Sequence, residues 1–358
     1  MKKFEGIEVW HFITTIEKGG AENQLLTLAK KQVEFGNRVK IVYLKGQSTL
    51  RENFTAIGCD VFPLRKFLAS KATKVAMLKK RKNPIVIHCH LPRAEIVGYL
   101  ISVFTRYPFI VTRHNTEPFL LSGPTFVSSW ASRFITKQAQ VVICISESVR
   151  DFVIRNSEVR DSSKCRIIYY GFPKVTKKKK FELTQRKSRI ITLFTAARLV
   201  PQKNLFNLVD SIHLLPENYH LKIAGLGPLH RDLTDYIKRS NLSSRVFLLG
   251  KIDNVDELLI QCDLFVLSSR YEGFGLVLLE AMAANCKIAA SNIKVVKEVL
   301  GDSYKYLFDQ ENPQEIASCL LKLHKSTEDF SKVWKRRLEK FSDERMALEI
   351  DDAYTRAR

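Results

Sequence analysis

The sequence predicts an α/β protein made of two doubly wound parallel sheets. Three observations carry this. Short apolar runs alternate with amphipathic stretches along nearly the whole chain. The alternation stops once, at a lysine-rich stretch near residue 180, and then restarts. The length, 358 residues, suits two domains of roughly 150 residues each.

The strands of the first half are GIEVWHFI (6–13), RVKIVYL (38–44), CDVFPL (59–64), IVIHCH (85–90), FIVTRH (109–114), VVICIS (141–146) and CRIIYYG (165–171). Near-continuous apolar strands separated by helices imply a parallel sheet covered on both faces. FPKVTKKKKFELTQRK (172–187) has a proline, many lysines and no periodicity, and reads as an exposed linker. The pattern resumes with RIITLFTAA (189–197), HLKIAGLG (220–227), RVFLLG (245–250), DLFVLSS (263–269) and KIAASN (287–292). Two helices follow from Pro313 onward. The expected division is a first domain over 1–175, a basic linker over 176–188, a second domain over 189–335 and a C-terminal helix over 336–358 that can cross back to the first domain. Sheets of this kind bind ligands beyond the carboxyl ends of their strands, at helix N-termini. Two such domains facing each other would form a cleft.

Composition narrows the function. The longest clean apolar run, about Ile96 to Phe104, is far short of the ~18–20 residues that span a bilayer. Glu5 and Glu8 interrupt any apolar region near the N-terminus, so no signal peptide is expected. The seven cysteines form no CxxC pair and several fall in strand-like runs, which fits reduced core thiols in a cytosolic protein. The net charge of +21 is uneven: residues 1–180 hold 32 Lys+Arg against 13 Asp+Glu, and residues 181–358 hold 26 against 24. The first half therefore suits a polyanion, whether a membrane surface, a nucleic acid or a phosphorylated ligand. No basic stretch interleaved with aromatics is present, so nucleic acid is not the expected partner.

Four stretches can carry chemistry. In SSRYEGFGLVLLEAMAANC (268–286), a strand ends, a glycine loop follows, and a helix starts near Gly275. Gly273 and Gly275 let the backbone approach a ligand, and the helix start favours phosphate. Glu272 sits in the loop. Glu280 lies in a helix that appears apolar all round and hence buried, where a carboxylate must be paired. It could hold sugar hydroxyls, or pair with an arginine or with backbone for structural reasons. In TAARLVPQKNL (195–205), Arg198 and Lys203 follow a strand and could clamp a diphosphate, or be ordinary surface cations. EKGGAENQLL (17–26) opens a helix at Gly19 and Gly20, a weak phosphate-loop signal on its own. His114 ends the strand FIVTRH.

EGFGLVLLE resembles the E-x7-E signature of retaining glycosyltransferases of family 4, which have the GT-B fold. GGAE, ICISESVRDF, IIYYG, ARLVPQKN, IAGLGPL, VFLLGKIDNVDELL and DLFVLSSRYEGFGL support it in order along the chain. The resemblance implies a nucleotide-sugar, with UDP-sugar favoured, bound by the second domain. Arg198 and Lys203 would hold its diphosphate and Glu280 its ribose. Glu272 would meet the transferred hexose or N-acetylhexosamine, and the amides of Gly273, Phe274 and Gly275 the phosphate or sugar. Gly19, Gly20 and His114 would lie where sugar and acceptor approach. No metal and no cofactor are expected, because cations and amides can stabilise the leaving phosphate. Ala197, Asn285, Lys287 and Pro173 depart from the family pattern; Asn285 can still end a helix in the left-handed conformation.

The basic first domain fits a lipid-linked glycan acceptor of cell-surface polysaccharide or lipopolysaccharide assembly, at the cytoplasmic face of the plasma membrane. LRKFLASKATKVAMLKKRK (64–82) offers Phe67, Leu68, Val75 and Leu78 as a helical stripe among lysines. PFLLSGPTFVSSWASRF (118–134) could receive a lipid chain or be core. The alternatives are a transferase acting on a soluble acceptor, and an inactive GT-B protein that binds nucleotide-sugar or membrane.

Overall fold

The structure, a computed structural model, describes residues 6–78, 84–116, 133–159, 161–174 and 190–357. The linker and nearly all of the 118–134 segment lie outside the described residues, as does the end of the 64–82 stretch. The chain forms two compact units, 1–174 with 341–358, and 175–340.

Unit 1 contains β1 (Glu8–Ile13), α1 (Gly20–Glu34), β2 (Arg38–Tyr43), α2 (Arg51–Ala56), β3 (Asp60–Pro63), α3 (Leu64–Ala69), α4 (Lys71–Leu78), β4 (Ile85–His90), α5 (Pro92–Thr105) and β5 (Phe109–Arg113). A helix described over 133–138, here α6, precedes β6 (Val141–Cys144), α7 (Glu147–Arg155) and β7 (Cys165–Ile167). The seven strands are all parallel, in the order β3-β2-β1-β4-β5-β6-β7. Every residue of β1, β4, β5 and β6 is buried, which explains why these strands read as unbroken apolar runs.

Unit 2 contains β8 (Ile191–Ala196), α8 (Leu205–His213), β9 (Tyr219–Ala224), α9 (His230–Arg239), β10 (Val246–Gly250), α10 (Val255–Gln261), β11 (Leu264–Leu267), α11 (Leu276–Ala283), β12 (Lys287–Ser291), α12 (Lys294–Leu300), β13 (Leu307–Phe308), α13 (Pro313–Lys325) and α14 (Ser331–Lys340). Its parallel sheet has the order β10-β9-β8-β11-β12-β13. Both sheets are thus doubly wound, as the alternation of strand and helix predicts. β13, two residues long, left no legible apolar run.

The last helix, α15 (Asp343–Arg356), belongs to unit 1. Met346, Ala347, Ile350, Ala353 and Tyr354 form one stripe that joins Val9, Leu28, Val86, Ile110 and Ile143 in the core. At roughly 1.5–3 kcal/mol per large buried side chain, Met346, Ile350 and Tyr354 hold the helix by on the order of 5 kcal/mol. The crossing is made beside Gly171. A Cβ there would stand 2.6 Å from the Asp343 Cα, so only glycine lets the two backbones approach this closely.

The stripe expected over 64–82 is broken. Ser70 is extended (φ −63°, ψ 128°) and separates α3 from α4. Phe67 is fully buried against Trp10 and Phe12, whereas Leu68 and Val75 are exposed. This single extended residue resets the helical phase, so residues read as one face belong to different surroundings. All seven cysteines are free thiols, and among the described residues no helix is long and apolar enough to cross a membrane.

Candidate active site

In the second sheet the order reverses between β8 and β11, so the chains leaving these neighbours diverge and open a crevice. The loops that leave them are 197–204 and 268–275. They carry Arg198, Lys203, Glu272, Gly273, Phe274 and Gly275, so the topology brings together two stretches about 70 residues apart in sequence.

The two loops are zipped by hydrogen bonds. Arg270 N donates to Gln202 O (2.8 Å), and Gln202 Nε2 donates to Tyr271 O (2.7 Å). Arg270 Nη1 donates to Pro201 O (2.9 Å), and Ser268 Oγ to Lys203 O (2.8 Å). Pro201–Lys203 form a 3-10 turn that ends on left-handed Asn204 (φ 51°), whose small polar side chain tolerates this conformation. The turn presents Lys203 Nζ to Glu272 Oε1 at 2.6 Å, and Ser269 Oγ donates to the same oxygen at 2.6 Å. Glu272 is buried, 8% exposed. Its other oxygen, Oε2, has no hydrogen-bond partner among the described residues. A carboxylate held by two donors on one oxygen keeps a fixed direction for the other, which is what a sugar-binding acceptor needs.

Arg198 is exposed. Its backbone is fixed from behind: Ala197 N and Leu199 N donate to Ala224 O and Leu226 O. The glycines of the GLG turn make this approach possible. A Cβ on Gly225, at φ +138°, would lie 1.9 Å from Ala197 O, and one on Gly227 would lie 2.3 Å from Leu199 O.

Gly275 adopts φ +82° and ends the loop as the N-cap of α11, a conformation that favours glycine. Phe274 is 2% exposed and anchors the loop in the core, so its ring is not offered to a ligand. α11 is not buried all round, contrary to the expectation. Leu278, Leu279, Ala281 and Met282 are buried, but Leu276, Val277 and Glu280 are only partly so. Positions i, i+1 and i+4 share a face, and Glu280 sits on it. The apolar residues around Glu280 in sequence hid an accessible face. Asn285 adopts φ 57° and completes a helix end in which Asn285 N donates to Met282 O and Cys286 N to Ala281 O, both 2.9 Å.

In unit 1, Gly19, Gly20 and His114 follow β1 and β5 at the same kind of edge. Gly19 is extended (φ −156°), so it is not a left-handed turn. A Cβ would lie 2.4 Å from Glu22 Oε2, the end of a side chain that can shift. Glu22, which accepts a bond from Thr15 Oγ1 (2.8 Å), has its carboxyl pushed up by burial. Its carboxylate lies against the start of α1, in the ground a phosphate would take. Gly20, the first helical residue, is exposed.

His114 is half-buried and lines a small cavity with room for one water molecule. Gln24, His90, Tyr170 and Met346 also line it. Both imidazole nitrogens have protein partners: Nε2 lies 3.1 Å from His90 Nδ1, and Nδ1 contacts the Tyr170 hydroxyl. Burial, with Arg113 beside it, lowers its pKa to about 3, so the ring is neutral. Sequence reading missed Ser269, Gly225, Gly227 and the histidines behind His114. The two glycines were visible in IAGLGPL, but their partners were not.

Residues 18–173 match the family described as Glycosyltransferase Family 4, and residues 175–340 match Glycosyl transferases group 1. The chain is 26% identical over 311 residues to the N-acetyl-alpha-D-glucosaminyl L-malate synthase of Bacillus anthracis, covering 82% of this chain and 81% of that protein. It is 28% identical over 265 residues to the UDP-Gal:alpha-D-GlcNAc-diphosphoundecaprenol alpha-1,3-galactosyltransferase of Escherichia coli, covering 68% and 67%. Among solved structures, an Anabaena protein in complex with UDP and glucose superposes with a TM-score of 0.80 at 19% identity, covering 98% and 99%. Two doubly wound units, each matched by its own glycosyltransferase family, identify this chain as an enzyme of the family 4 glycosyltransferases with the GT-B fold.

Proposed function

We propose that the chain transfers a hexose or N-acetylhexosamine from a UDP-sugar, with retention and without a metal, to a lipid-linked glycan acceptor at the cytoplasmic face of the plasma membrane. The observation that carries this is Glu272, fixed by Lys203 and Ser269 through one oxygen and open at the other. Arg198 and Lys203 supply positive charge for the departing diphosphate, and the Gly273–Gly275 amides lie at the start of α11. Glu280, on the accessible face one turn further, takes the ribose. No side chain is assigned as a nucleophile.

The UDP-galactose and diphosphoundecaprenol in the name of the E. coli relative support a UDP-sugar donor and a lipid-linked acceptor. The basic first half agrees with an anionic membrane surface, and the exposed face of α5 adds apolar contacts: Leu100, Val103 and Phe104 are 52, 55 and 85% exposed. Lys66, Lys71 and Lys74 are exposed on α3 and α4, an arrangement suited to peripheral binding. A second reading, a small anionic acceptor, is favoured by the malate in the name of the Bacillus relative.

The test is a screen of nucleotide-sugars for thermal stabilisation, followed by turnover on a lipid-diphosphate sugar and on malate. Stabilisation by UDP-sugars with transfer to the lipid supports the proposal. Transfer to malate alone selects the second reading, and no stabilisation by any nucleotide-sugar refutes both.

A further inference from the structure

Behind His114, three more histidines are fully buried in unit 1. His11 on β1 stands in register with His88 on β4, and His90 lies on the same face of β4, two residues further. The contacts form a line. Gln32 Oε1 lies 2.7 Å from His11 Nε2, His11 Nδ1 lies 3.0 Å from His90 Nε2, and His90 Nδ1 lies 3.1 Å from His114 Nε2. On its other side, Gln32 Nε2 donates to Tyr354 OH (2.9 Å), which meets His88 Nδ1 at 2.7 Å; His88 Nε2 meets Thr112 Oγ1 at 2.6 Å.

We propose that Gln32 sets which nitrogen of His114 carries the proton, acting through His11 and His90, and is thus a positioning residue for His114. A carbonyl oxygen only accepts, so His11 must donate from Nε2. A neutral imidazole has one N–H, so His11 Nδ1 accepts, and His90 donates from Nε2. By the same step His114 donates from Nε2 and keeps Nδ1 as an acceptor for the Tyr170 hydroxyl. On the second branch Tyr354 accepts from Gln32 and donates to His88 Nδ1, which leaves His88 with Nε2–H for Thr112. All four rings carry the proton on Nε2. Turning the Gln32 amide over would reverse every bond at once, which is how such chains become all-or-none. Burial keeps the rings neutral, lowering His11 to about 4 and His88 and His90 well below their ordinary value.

Nitrogens of His11, His88 and His90 lie within 4.8 Å of one another, close enough to suggest a metal ion. Yet all six ring nitrogens of these residues already have protein partners, and His11 and His90 aim theirs at each other. A metal needs lone pairs converging on one centre. The hydrogen-bonded chain is the reading that uses every nitrogen.

The consequence for the reaction rests on the function proposed above. With no proton on Nδ1, His114 accepts there: a substrate hydroxyl that displaced Tyr170 would donate a hydrogen bond to this nitrogen. The test is imidazole ¹⁵N NMR of the full-length protein at pH 7, in the wild type and in Gln32→Met and Tyr354→Phe, with circular dichroism to establish folding. The expected wild-type result is Nε2–H on all four rings. The expected result for folded Gln32→Met is a mixture of tautomers at His114, and a kcat for UDP-sugar turnover lower by roughly 10- to 100-fold with KM little changed, by analogy with outer partners of metal-bound histidines. Nδ1–H on His11, His90 or His114 in the wild type overturns the proposal even if neither variant folds. So does an unchanged His114 tautomer in Gln32→Met, or stoichiometric zinc in the purified protein. Unchanged turnover in His114→Ala, with the tautomers as expected, would instead remove His114 from the reaction and leave the hydrogen-bonded chain standing.

Discussion

Replacing His11 by glutamine removes one buried imidazole that must stay neutral in the folded state, and this should flatten the acid limb of unit 1 stability. A histidine whose folded pKa is depressed binds fewer protons folded than unfolded, so stability falls as pH drops through its unfolded value. For His11, lowered from 6.5 to about 4, the loss between pH 7 and pH 5 comes to about 2 kcal/mol. The figure is insensitive to how far below 5 the folded pKa lies, so His114, at about 3, loses about the same. Two buried carboxyls oppose them. Glu95, held beside Arg113 and Glu158, and Asp351 on α15 are each pushed up by burial to about 7. They take up protons in the folded state first, and each adds back about 2 kcal/mol over the same interval. His88 and His90, also held well below their ordinary value by burial, lose stability in the same sense, and the difference between two proteins isolates the share of His11 from all of these. Hydrogen exchange of the best-protected β1 and β4 amides, at pH 7 and pH 5, reads unit 1 by itself. The pH 7-to-5 loss should be about 2 kcal/mol smaller in His11→Gln than in the wild type. An unchanged loss would refute the placement of His11 as a neutral buried ring.

Three other outcomes are expected. Lys203→Met leaves Glu272 near-buried with only Ser269, and should cost unit 2 about 2–3 kcal/mol in urea unfolding, part of which Glu272→Gln in the same chain restores. Gly225→Ala pushes a methyl into Ala197 O at a backbone angle that disfavours it; unit 2 should lose more than about 2 kcal/mol, and UDP affinity should fall because Arg198 moves. If Arg198 and Lys203 supply the charge, as proposed, removal of divalent ions with EDTA should leave the rate of sugar transfer unchanged; a loss restored by Mg²⁺ would contradict this.

Much of this architecture is legible in the sequence because buried parallel strands need apolar residues on both faces. IVIHCH and FIVTRH are found almost to the residue. The loops after β8 and β11 are legible as glycine-rich or charged turns that follow apolar runs, but those turns alone do not separate a ligand site from ordinary surface charges. The rest depends on register and distance. His11 and His88 are 77 positions apart, and only pairing of β1 with β4 makes them neighbours. Gln24 and Gln32 sit on the buried stripe of α1 with Leu25 and Leu28; a polar residue on such a stripe is the one local sign of an internal network. Tyr354 reaches that network from the far end of the chain. The charged sequence of α15 shows its helix but not the core it enters. The partial exposure of α11 at Glu280 is not legible, because periodicity reports apolarity and not what the apolar face meets.

The most direct test is calorimetric titration of UDP and UDP-sugars into the wild type, Arg198→Ala and Glu280→Ala. If the loops after β8 and β11 hold the donor, the wild type binds and each variant loses roughly 10- to 100-fold in affinity, the effect of one charge-assisted hydrogen bond. Equal affinity in all three proteins, or no binding by the wild type, would place the donor elsewhere.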